Sequence, residues 1–141
     1  MSATDDIVFS IAEDEVTIHQ DGKLGQGAAG TVVIGDWNGT RVAVKFLRCC
    51  EGDFEELKEE AALLQQLKHP NVITFYGLMA SDPPGIVMQL GAGGSLGGFL
   101  RKNRARFSES FFSWEVAIRI ALDVASGCAY LHRRELIHRD L

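Results

Sequence analysis

The chain has 141 residues, 46% hydrophobic and 23% charged, a composition that can bury one core and excludes a disordered or fibrous polymer. With 14 Lys and Arg against 19 Asp and Glu the net charge is -5, so there is no general electrostatic attraction for nucleic acid. The polar, acidic residues 1–6 lack the basic-then-apolar order of a secretory signal and no apolar run approaches the length of a membrane span, so a cytoplasmic protein is expected.

In chain order, short apolar stretches alternate with polar residues over 7–18 and predict strands flanking a domain. The β-branched run over 31–37, the turn signal Asn38-Gly39 and the run over 41–47 predict a hairpin. Asp53 can cap a helix, with Glu56 in a capping-box position. Phe54, Leu57, Ala61, Leu64 and Leu67 then repeat at helical spacing up to His69-Pro70. Strands over 72–79 and 85–90 surround the turn Ser81-Asp82-Pro83-Pro84, and the glycine-rich 91–94 marks a hinge before helical sequence. A short helix is predicted over 95–104, its basic residues 101–106 reading as a solvated end. Ser113 caps a longer helix that is apolar over more than one face up to Leu131 and therefore expects burial on several sides. Cys49 and Cys50 are adjacent and Cys128 stands alone, which is neither a disulfide framework nor a zinc spacing.

Gly25, Gly27 and Gly30 form a G-x-G-x-x-G pattern whose missing side chains let backbone pass close over a phosphate chain. A Rossmann turn carries the same pattern but opens a helix, whereas Thr31-Val32-Val33-Ile34 is strand-forming. A glycine loop between antiparallel strands is the better reading, with a purely structural hairpin as the bland alternative. Lys45 ends the alternating strand Val42-Ala43-Val44, from which an ammonium can project beneath that loop; an ordinary solvated lysine is the competing reading. At about 100° per residue Glu60 falls between Leu57 and Leu64 on the apolar side of its helix, while Glu59 points away. A carboxylate turned inward needs a partner, and Lys45 is the natural cation.

These residues, with His69-Pro70-Asn71-Val72 and His138-Arg139-Asp140-Leu141, follow one another in the order of the protein kinase family, which the sequence resembles from about Leu24 to Leu141. The resemblance implies an α+β fold: an antiparallel five-stranded N-lobe with one helix (22–88), a hinge (89–94) and the first helices of a helical C-lobe (95–141), preceded by a flank (1–21). It implies ATP and Mg²⁺ as cofactors and a protein substrate. Leu24, Val32 and Ala43 would cover the adenine, with Met88 as gatekeeper and main-chain groups of Gln89 and Gly91 on its edge. Gly25, Gly27 and Gly30 would cradle the phosphates. Lys45, held by Glu60, would contact the α and β phosphates, and Asp140 would orient or deprotonate the substrate hydroxyl. The wording of Trp37-Asn38-Gly39-Thr40, Gly94-Ser95-Leu96 and Ser113-Trp114-Glu115 is most similar to the tyrosine-kinase-like group, including Raf-like and mixed-lineage kinases, most of which act on serine and threonine.

Two departures qualify the resemblance. Ala29 stands where most members place an aromatic at the loop tip, which implies poorer shielding of the phosphates. The family's metal-binding asparagine, its Asp-Phe-Gly segment and its activation loop follow positions beyond Leu141, so these residues read as a fragment of a longer kinase, inactive alone. A non-catalytic, pseudokinase-like binding module is the second reading, and a Rossmann oxidoreductase the weakest.

Overall fold

The computed structural model describes residues 9–27, 30–47, 54–103 and 113–138. The chain divides into two compact units, Met1–Lys68 with Ile73–Leu90, and His69–Val72 with Gly91–Leu141.

In the first unit the strands are β1 (Ser10–Ile11), β2 (Val16–Gly27), β3 (Gly30–Trp37), β4 (Thr40–Leu47), β5 (Phe75–Met79) and β6 (Gly85–Gln89). Helix α1 (Phe54–Gln65) lies between β4 and β5 in sequence. The sheet order is β1-β5-β6-β4-β3-β2. The strands β2 to β6 pair antiparallel. The expected count of five is corrected to six, because β1 adds a parallel pairing of Ser10 with Leu78 and Ile11 with Met79. The segment 1–21, expected as a flank, thus contributes β1 and the start of β2 to the sheet. The physical reason is burial: Ile11 is fully enclosed, and its side chain joins the core.

The β3–β4 turn is the one that its residues demand. Asn38 and Gly39 both adopt positive φ, 48° and 75°, and Trp37 pairs with Thr40 across them. Strand β5 begins at Phe75 rather than at Val72, because Val72 N–H donates to the His69 carbonyl and Asn71 N–H to His69 Nδ1, which ties 69–72 into a turn. The capping residue Asp53 and the side chain of Glu56 lie outside the described residues.

Alternation along the strands separates two cores. On one face Ile11, Val16, Val42, Val44, Met79 and Val87 pack together, with Trp37 and Tyr76 against them. On the other, Phe75, Leu78 and Ile86 receive Leu57 and Ala61 of α1. The sheet is therefore apolar on both sides along its centre, as strands covered on both faces must be.

The second unit contains α2 (Leu96–Asn103) and α3 (Trp114–His132). Ser95 and Ser113 cap them, their hydroxyl oxygens accepting from Gly98 N–H at 3.1 Å and Val116 N–H at 3.3 Å. The turn 69–72 docks on α3. The His69 ring stacks on Tyr130 at 4.8 Å and its Nε2 lies 3.4 Å from Ser126 Oγ, while Asn71 Nδ2 donates to Asp123 Oδ1 at 3.4 Å. Gly127 permits this approach, since a Cβ there would stand 2.9 Å from the Asn71 carbonyl oxygen. The burial expected on several sides of α3 is confined to Gly127 and Leu131; Trp114 is 78% exposed and Leu122 64%. Among the described residues no helix is long and apolar enough to cross a membrane.

The two-sided core makes a direct prediction. Met79→Ala, which empties a fully buried position, should cost about 2–5 kcal/mol in urea unfolding, whereas Leu63→Ala on the exposed side of α1 should stay within about 0.5 kcal/mol.

Candidate nucleotide site

The first unit gathers most of the predicted site on the face of the sheet that α1 covers. Residues directly opposite in antiparallel strands share a face, and one row runs Gly25, Val32, Lys45, Ile86 and Leu78 through five strands. The next row on that face runs Ile34, Ala43, Met88 and Phe75. Val32, Ala43, Lys45 and Met88 therefore stand side by side, with Met88 packed against the apolar cluster that Phe75, Leu78 and Ile86 form with α1. Ala43 is buried, Val32, Lys45 and Met88 are half-buried, and Leu24 is 51% exposed.

The sequence orients Lys45 through its neighbours. Val42 and Val44 are fully buried on the opposite face, and a period of two then obliges Ala43 and Lys45 to point the other way. Burying two valine side chains is worth roughly 1.5–3 kcal/mol each, so a one-residue slip that inverted Lys45 would forfeit both.

The three glycines have different duties. Gly27 pairs with Gly30 at the end of the β2–β3 hairpin, whose tip, Ala28 and Ala29, lies outside the described residues. Gly30 adopts φ 134°, and a Cβ there would fall 1.9 Å from the Phe46 carbonyl oxygen, so glycine is obligatory for the strand geometry. Gly25 has nothing within 4 Å of where a Cβ would stand. The protein itself does not need glycine there, and the open space lies on the same face as Lys45.

A feature without a sequence signal fixes the end of β6. Gln89 N–H donates to the Thr74 carbonyl at 2.8 Å, and Gln89 Oε1 accepts from Thr74 N–H at 3.2 Å. This reciprocal pair fastens the end of β6 to Thr74. In the second unit the Gly91 carbonyl accepts from Gly94 N–H at 2.9 Å, which closes a turn within the glycine-rich 91–94. The register shifts in β2, between Ile18 and Lys23 and again between Lys23 and Gly25, were likewise not foreseeable, although the second one sets Leu24 at an irregular, exposed position.

Two predicted catalytic residues are not brought into view. Glu60 occupies α1 between the buried Leu57 and Ala61, but its side chain lies outside the described residues, as does Asp140. Among the described residues no group of three or more His, Cys, Asp or Glu side chains is placed to hold a metal ion.

What this face can do is hold an anion above a flat apolar platform: a glycine strand with open space, a lysine below it, and small or aliphatic side chains alongside. The family profile described as protein tyrosine and serine/threonine kinase matches residues 18–141. The probable serine/threonine-protein kinase gdt2 of Dictyostelium discoideum is 34% identical over 119 residues, which is 84% of this chain and 7% of that protein's length. The chain thus spans a small fraction of this relative. With the glycine strand, the lysine strand and the helix of Glu60 in family order, the chain belongs to the protein tyrosine and serine/threonine kinase family.

Proposed function

We propose that this chain is the ATP-binding part of a protein kinase that transfers the γ-phosphate of ATP to a serine or threonine hydroxyl of a protein. The observation that carries the reading is the open space over Gly25 on the same sheet face as Val32, Ala43 and Lys45. A hairpin kept only for its own stability would need glycine at Gly30 but not at Gly25. The serine/threonine assignment rests on the similarity to gdt2, and the tyrosine-kinase-like, Raf-like subgroup on the sequence wording around Trp37, Gly94 and Ser113.

The residues fit the nucleotide. Leu24, Val32 and Ala43 form an apolar roof for a flat base, and Met88 closes it beside Ala43. The family resemblance assigns the base edge to main-chain groups of Gln89 and Gly91. ATP supplies the phosphoryl group when bound, with Mg²⁺ as the counter-ion of its phosphates. Gly25 and Gly27 bring backbone close to those phosphates, and Lys45 neutralises charge on the α and β groups. Glu60 holds the Lys45 ammonium in place, since a cation under a half-buried face is best oriented by a fixed carboxylate. Asp140 orients the acceptor hydroxyl and takes its proton.

Two substitutions separate the roles of the glycines. Gly25→Ala should leave unfolding within about 0.5 kcal/mol of wild type and weaken binding of an ATP analogue about tenfold by titration calorimetry. Gly30→Ala should instead destabilise by more than about 1 kcal/mol. Equal effects of the two on stability would contradict the assignment of Gly25 to the ligand. In the full-length protein that carries this chain, Lys45→Met should lower phosphotransfer by about 10²-fold or more. Undiminished transfer would contradict the kinase reading of Lys45. A non-catalytic binding module would show no phosphotransfer in the wild type and would keep its partner after the same change.

A further inference from the structure

Residues 9–11 run beside β5, and 9–16 fasten to the sheet at several points. Ile11 is completely buried among Val42, Val44, Met79 and Val87. The Phe9 carbonyl accepts from Leu78 N–H at 2.9 Å. The Phe9 ring meets Trp37 edge-on at 6.1 Å, and Trp37 Nε1–H donates to Glu15 Oε2 at 3.3 Å. Strand β5 is shaped to admit this segment. A Cβ on Gly77 would stand 2.6 Å from the Phe9 carbonyl oxygen and 2.8 Å from Ile11 Cδ1, closer than real Cβ contacts come.

The same strand carries α1. Phe75 and Leu78 form the floor beneath Leu57 and Ala61, and Phe9 N–H donates to Gln65 Oε1 on α1 at 3.4 Å. Leu78 is thus held from both sides, its side chain under α1 and its amide bonded to Phe9. Packed interiors transmit displacement because they have few voids to absorb it. A two-residue strand has little backbone pairing of its own, so its seating rests on the burial of Ile11 and on the Phe9 carbonyl.

We infer that residues 9–16 are a strap whose seating in the Gly77 notch holds α1 against the sheet, so that releasing the strap loosens the helix that carries Glu60. The inference rests on the proposed Lys45–Glu60 pairing only for its consequence, control of nucleotide binding from the chain's N-terminal side; the coupling of strap to helix stands without it.

Hydrogen exchange of the full chain without nucleotide tests the coupling. In Gly77→Ala the Leu78 amide should exchange about tenfold faster, and the amides of 57–65 should also accelerate, by about threefold or more. Phe9→Ala, which removes an exposed ring rather than core, should shift the same two sets of amides in the same order, and it carries the test where Gly77→Ala does not fold. Wild-type rates over 57–65 with a released Leu78 amide would overturn the coupling. A Leu78 amide that keeps its protection in both variants would overturn the strap itself. Because the rates are read without nucleotide, a wild-type chain that failed to bind ATP would count against the proposed function alone.

Discussion

Strand β4 pairs with β3 on one side and β6 on the other, and its side chains have to be divided between two covered faces. Val42 and Val44 are fully buried on one of them, and this burial is the constraint on which the candidate site depends. Once those valines are seated, Ala43 and Lys45 have no freedom to choose a face. Register then carries the orientation outward, to Val32 and Gly25 on one side and to Ile86 and Met88 on the other. A hydrophobic choice on one face of the sheet thus determines where a cation is presented on the other.

Much of this was legible because the signals were local. Asn38-Gly39 could hardly form anything but a tight hairpin turn, Ser113 is a good helix cap, and the alternation through Val42-Ala43-Val44-Lys45 carries its own period. What was not legible depends on distant partners. Nothing in residues 7–18 announces that Ile11 will lie beside Met79, because the complementary feature is an absent side chain at Gly77. The docking of 69–72 on α3 is of the same kind, with Gly127 making room for Asn71. The Thr74–Gln89 pair also has no sequence signature, since amide side chains match many partners.

Glycines illustrate the limits of motif reading most clearly. In the G-x-G-x-x-G pattern Gly25 and Gly30 look alike, yet one is demanded by the Phe46 carbonyl and a positive φ while the other faces open space. Gly77 and Gly127, outside any motif, are also sterically constrained, since a Cβ would stand 2.6 Å and 2.9 Å from a backbone oxygen. The spacing of glycines locates a loop; only their surroundings separate those that the fold requires from those that it does not.

The central claim is that the nucleotide lies on the α1-facing side of the sheet, under Gly25 and beside Lys45. Side-chain methyl spectra recorded during titration with a non-hydrolysable ATP analogue test it most directly, because the two faces carry separate methyl reporters. The account predicts shifts at Val32, Ala43 and Met88, with Val42, Val44 and Val87 on the opposite face little changed. Shifts concentrated on Val42, Val44 and Val87, or none on either face at saturating analogue, would contradict it.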